Sequence, residues 1–179
     1  DKNIQKNTGY SQVDLFQKFL FRIGDNNLLN LNIQFSESTD IDRFDQLSIP
    51  KDDSLKFSEW YYGPQKRLLI SPSLRIFPKK KFMDKGVITF GFQKINESRI
   101  KRKFNSLNRS HQIEDLKVLS LNGDFDTSFN NGHTVSYGIE TTYNHNYSKA
   151  YDRVLDVDGN NVVGVSKKFA IPTRYPSDG

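Results

Sequence analysis

The sequence predicts an all-β fold, an antiparallel up-and-down meander whose roughly six long strands form part of a transmembrane β-barrel, with long loops on one side and short turns on the other. Three observations predict it. Apolar and polar residues alternate over segments of roughly 10 to 14 residues, longer than the five or six usual in soluble sheets. The connections switch between tight turns and long polar stretches. The 179-residue chain is also polar for a self-contained domain, 35% hydrophobic with a mean hydropathy of −0.67, yet no apolar run nears the roughly 18 to 20 residues of a membrane helix. A spanning β-strand needs only about 9 to 11 residues, half of them facing a wet interior, so an average over the chain hides it.

The first strand is read over 10–23. Val13, Leu15, Phe19, Phe21 and Ile23 share one face and Gln12, Asp14, Lys18 and Arg22 the other, the period of two that a strand imposes. The turn cluster Gly24–Asn27 leads to a second strand over 28–37. There Leu29, Leu31, Ile33 and Phe35 interleave with Asn30, Asn32, Gln34 and Ser36. The third, 65–76, alternates Leu68, Ile70, Leu74 and Ile76 with Arg67, Ser71, Ser73 and Arg75; Pro72 falls on its apolar face, where a missing N–H predicts a bulge. In the fourth, 86–97, Ile88, Phe90 and Phe92 oppose Val87, Thr89, Gly91 and Gln93. The fifth, 116–129, carries Leu119, Leu121 and Phe125. It is joined through Asn130–His133 to the sixth, 133–145, with Val135, Tyr137, Ile139 and Tyr143. Beyond these, 150–166 reads as an extracellular-side hairpin about the turn Asp158–Asn161. The segments Glu37–Pro64 and Asn105–Gln112 read as the long loops, and Lys79–Lys81 as a solvated turn.

The apolar faces are expected to meet lipid. The opposite faces, rich in Asn, Gln, Ser and Thr, suit a hydrated lumen, in which Asp14, Asp124, Asp126 and Glu140 find Lys18, Arg22, Arg67 and Arg75 across neighbouring strands. Trp60 and Tyr62, by parity with the third strand, point outward with Tyr143 into an interfacial aromatic girdle. Tyr61 points inward and is the one candidate for ligand contact. The basic run Arg99–Phe104 reads as a charged strand end above the headgroups, meeting anionic lipopolysaccharide, more simply than as a nucleic-acid groove.

Catalytic chemistry is not expected. No nucleophile, His and acid fall together, and His111, His133 and His145 lack metal-ligand spacing; neither metal nor cofactor is called for. The start at Asp1, without Met or an apolar leader, reads as an excerpt.

The segments "NTGYSQVDLFQKFLF", "EWYYGPQKRLLISPSL", "FMDKGVITFGFQKINESRIKRKFNSL" and "IPTRYPSDG" resemble the barrel of TonB-dependent outer-membrane receptors, in the branch with a carboxypeptidase-regulatory-like domain at its N-terminus. The resemblance spans almost the whole chain. It implies that residues 1–179 supply about six strands of a roughly 22-stranded barrel in the outer membrane of a Gram-negative bacterium, with no plug domain in this stretch. It further implies import of a siderophore, haem, cobalamin or glycan, driven through the protein's own plug by the TonB energy-coupling complex. The expected partners are outer-membrane lipid and lipopolysaccharide, that plug and complex, and a small nutrient, but no nucleic acid. The alternatives are a small complete outer-membrane barrel serving as anchor or adhesin, and a secreted carbohydrate-binding β-sandwich.

Overall fold

Eleven strands and one short helix follow one another in the computed structural model, which describes residues 6, 8–78, 82–130 and 132–166. They are β1 (Gln12–Ile23), β2 (Asn27–Ser38), β3 (Ile41–Asp42), α1 (Phe44–Leu47), β4 (Pro50–Lys51), β5 (Ser54–Leu55), β6 (Phe57–Tyr62), β7 (Lys66–Ile76), β8 (Lys85–Lys103), β9 (Asn108–Ser128), β10 (Thr134–Leu155) and β11 (Val162–Ser166). The expected turn at Lys79–Lys81 and the segment 171–179 lie outside the described residues.

The fold is all-β and antiparallel. Nine strands make one sheet along the path β1-β2-β7-β8-β9-β10-β11, with β3 on β6 and β6 on β8, while β4 and β5 form a separate small ribbon. Some of the hairpins turn at a left-handed glycine. Gly24 closes β1–β2 at φ 60° and Gly159 closes the β10–β11 loop at φ 74°, conformations that cost glycine little. In that last loop the Asp156 carboxylate accepts from the backbone N–H groups of Asn160 and Asn161 and from the Asn161 side chain.

Cross-strand register sorts the side chains into two faces. One row runs Ile33–Ile70–Phe92–Leu119–Tyr143 and the next but one Leu29–Leu74–Ile88–Gly123–Ile139, so the apolar positions of separate strands fuse into a band. Asn32, Ser71, Gly91, Ser120 and Thr142 share a row of the other face, as do Asp124 and Gly138. From β2 to β10 the upper edge of the band drops one row, from Phe35 to Tyr143. The lower edge drops two, from Leu29 to Val135. With strands about 4.8 Å apart and roughly 3.4 Å per residue, the strands lean about 20 to 35° from the normal of the band.

This band is not a core. Its residues are open to the surroundings, Leu15 at 61%, Phe90 at 42%, Leu121 at 43% and Ile139 at 68% exposure. Among the described residues the buried apolar side chains are Trp60, Ile100 and Leu155, all at the loop end above the band.

Four expectations about the elements change. Pro72 causes no bulge: the β7–β8 register is the same at Ile70↔Phe92 and Ser73↔Thr89, and pairing merely lapses at Ser71 and Pro72. One absent N–H removes both links, because each of those two pairings needs it, while the β2 side pairs straight through at Leu31↔Pro72. The long loop expected at Asn105–Gln112 is instead a short turn between strands of 19 and 21 residues, with Asn105 left-handed at φ 58°. The arm expected at 150 is the end of β10, onto which β11 folds back from Asp152 to Leu155. Finally, the other expected loop, Glu37–Pro64, carries β3 to β6 and α1 within it.

A bulge does form, one turn of sequence earlier. Tyr62 pairs with Arg99 and the Gly63 N–H donates to Ser98 O, whereas Lys66 pairs with Asn96; Pro64 and Gln65 therefore face Glu97 alone. β6 and β7 are one strand with a two-against-one step. Gly63 belongs there because a Cβ would collide with the Ser98 hydroxyl and crowd Ile100.

Candidate functional site on the polar face of the loop end

The step at Pro64–Gln65 exchanges the two sides of the strand, since a one-residue slip moves every side chain across the sheet. Trp60 pairs with Lys101 and Tyr62 with Arg99, odd positions of β8 that belong to the polar face. Tyr61 pairs with Ile100, on the side continuous with the apolar band. The outward direction expected for Trp60 and Tyr62, and the inward one for Tyr61, are thus reversed. The parity argument assumed an unbroken strand. Tyr143 remains on the apolar face, at the upper edge of the band and 63% exposed.

On the polar face Trp60 and Tyr62 meet edge to face, centroids 5.3 Å apart, the arrangement that ring quadrupoles favour. Two guanidiniums lie over them. Arg43 is 5.1 Å from the Trp60 ring and 5.4 Å from Tyr62, and Arg99 is 5.6 Å from each, within cation–π range. Arg43 immediately precedes α1, so this stacking holds the β2–β7 connection over the polar face. Its guanidinium also donates to the Tyr62 hydroxyl at 2.6 Å and forms a two-pronged pair with Asp45. That pairing raises the Arg43 pKa and lowers that of Asp45.

Below the rings, Tyr62, Glu97, Ser98, Arg99, Gln112 and Glu114 line a small pocket. Glu97 and Glu114 oppose each other across β8 and β9, a like-charge placement that needs compensation. Glu114 is 7% exposed. Its Oε1 and the Arg99 Nε are both buried without a hydrogen bond. An acceptor and a donor therefore stand beside an aromatic ring, in a space with room for about one water molecule.

The other face of the loop end carries a second network. Glu59 accepts from Arg102 Nε at 2.8 Å and from Arg109 Nε at 2.6 Å and Nη2 at 2.8 Å. Burial opposes the charge on Glu59, but the hydrogen bonds of Arg109 and Arg102 outweigh it and hold the pKa below its ordinary value. Burial raises the pKa of Tyr61 beside them. His111 lies flat on Tyr151, centroids 5.0 Å apart; burial, with Arg153 and Arg109 adding to it, lowers its pKa to about 4.

The basic run is split by these geometries. Arg99 and Lys101 face the polar side, and Arg102, on the other side, is engaged by Glu59, so the run is not the outward basic cluster expected of it. The expected lumen pairings also change: Asp126 lies 3.6 Å from Lys85, and Arg67 donates to Gln93. Arg43, Glu97, Gln112 and Glu114 were not singled out from sequence. Their one signal is alternation of aromatic and charged residues, and only register brings them together.

Among known proteins, no family model, no curated sequence and no solved structure matches this chain.

Proposed function

We propose that this chain is a section of the transmembrane barrel of an outer-membrane, TonB-dependent import receptor, and that the loop-end polar face belongs to the vestibule through which a scarce nutrient enters. The observation that carries the reading is the leaning apolar band, aligned over six strands and left uncovered. A water-soluble sandwich requires a second layer on those rows, and the described residues form none. Lipid covers such a band at no cost. Its 7 to 9 residues on β2 and β7, at about 3.4 Å each and tilted, match a hydrocarbon zone of roughly 25 Å.

The edges support a larger barrel. Among the described residues β1 pairs only with β2, and the first half of β10 pairs only with β9. In lipid each unpaired backbone group costs several kcal/mol, so neighbouring strands of the same barrel must complete the ladders. The polar face then lines the lumen, against the plug, and the small Tyr62–Arg99–Glu114 pocket lies behind the aromatic wall past which cargo moves. No step in this role calls for a catalytic group or a cofactor.

Ile33 and Asn32 are adjacent on β2 and face opposite ways. Ile33→Arg is expected to cost about 2 to 4 kcal/mol of folding in bilayers, and Asn32→Arg close to nothing. Equal costs, measured by denaturant titration of the full-length protein in vesicles, would defeat the proposal. For the pocket, Arg99→Ala combined with Glu114→Gln is expected to lower nutrient uptake at limiting supply with the amount of assembled barrel unchanged.

A further inference from the structure

Just above the band, on its own face, register lines up Lys94, Lys117 and His145 on three successive strands. The row beneath is Phe92–Leu119–Tyr143. Two lysines directly opposite each other repel, and little nearby relieves them. Asp115 reaches Lys94 at 3.9 Å, while Lys117 has no ion pair among the described residues and is exposed. On the neighbouring strands the same row is treated differently. There the band continues through Phe35 and Leu68, and the first charges above it, Glu37 and Lys66, are paired at 2.6 Å. Surplus positive charge is thus confined to β8–β10.

A groove adjoins this row. Phe35 and Leu68 line it on β2 and β7, Lys94 continues their row on β8, and Lys66, Asn96 and Asp115 form the row above, so its β2–β7 side is apolar and its β8 side carries an amine. The geometry points to a site for one phosphorylated lipid of the outer leaflet, its phosphate bridging Lys94 and Lys117 with His145 donating a hydrogen bond, and an acyl chain lying along Phe35 and Leu68. Charge complementarity selects the occupant: a phosphate placed between opposed ammonium groups turns their repulsion into two attractions, and only an amphiphile fills both ends. Asp115 limits the site to a headgroup that approaches from the Lys117 side. The inference rests on the membrane reading above. It also moves the lipopolysaccharide contact from Arg99–Phe104 to a row assembled from three strands.

The test uses the full-length protein extracted in neutral detergent, followed by native mass spectrometry with bisphosphorylated lipid A, its dephosphorylated form, or inorganic phosphate. The wild type is expected to retain bisphosphorylated lipid A at least tenfold better than the dephosphorylated form, with inorganic phosphate at equal concentration failing to displace it. Lys94→Gln/Lys117→Gln/His145→Gln is expected to abolish that preference, and Lys94→Arg/Lys117→Arg to keep it. Equal retention by the Gln variant overturns the site, as does displacement by inorganic phosphate, which marks a simple anion site. Should the Gln variant fail to assemble, Lys117→Gln alone must still lower retention or the site is overturned. A wild type that partitions into water without detergent refutes the membrane reading itself.

Discussion

At the scale of single residues, the loop end is governed by what each ring touches. Trp60 is the only tryptophan of the chain and is stacked under Arg43 and Arg99 on the polar face. With Trp60 as the sole tryptophan of the protein in vesicles, its fluorescence is expected to be insensitive to brominated acyl chains, whereas a girdle position gives strong quenching. Arg43→Ala removes the group that stacks on both rings and binds the Tyr62 hydroxyl. Cleavage within 43–56 by a added protease is expected to rise severalfold, for a loss of about 1 to 2 kcal/mol in closing that connection. His111 sets a pH dependence of definite sign. Its pKa is about 4 in the fold against 6.5 ordinarily, so as pH falls through 6.5 the unfolded chain takes up a proton that the folded one refuses. Stability is lost between pH 6.5 and 4, by up to roughly 3 kcal/mol. Glu59, also depressed, adds acid sensitivity only near and below its ordinary 4.5. The window from 6.5 to 4.5 therefore isolates the histidine, and His111→Phe, which keeps the stack on Tyr151, is expected to flatten the unfolding midpoint across it.

Elements were legible wherever one side of a strand is greasy and the other wet. β1, β2 and β7 start and stop within two residues of the segments read from alternation, because their faces differ in chemistry over most of their length, with Phe16, Gln17 and Leu20 of β1 as exceptions. Higher up both faces are polar. The continuation of β8 to Lys103, the start of β9 at Asn108 and the end of β10 at Leu155 therefore left no periodic trace, and β6 was hidden in what read as loop. Proline misled in both directions. Pro72 was tolerated with a lapse in one ladder, while the register step fell at Pro64–Gln65, where nothing in the alternation announces it. Pro72→Val is expected to restore the missing donor to β8 and raise stability by about 0.5 to 1.5 kcal/mol, measured by urea unfolding in vesicles. No gain would mean that the strand cannot relax into continuous pairing. The site was illegible for the same reason as the step: Trp60, Arg99 and Glu114 converge only once the register across β6, β8 and β9 is known, and a single residue more or less sends the rings to the other side.

Over the whole molecule, the proposal makes alternate residues sense different media. The chain has no cysteine, so in a full-length protein freed of any cysteine elsewhere each introduced thiol reports alone. Leu31→Cys and Leu121→Cys are expected to resist a water-soluble maleimide in intact vesicles, while Asn32→Cys and Asn122→Cys react from the lumen; uniform labelling would argue for a sheet standing in water. The lean of the strands carries one more implication. Places that share a depth do not share a hydrogen-bonded row, so an equator drawn around the wall climbs down the ladder, from Ile33 on β2 through Phe90 on β8 to Ile139 on β10. Thr141 lies on the row of Leu31 yet rides nearer the upper water, which is how a hydroxyl finds room in an otherwise oily stripe.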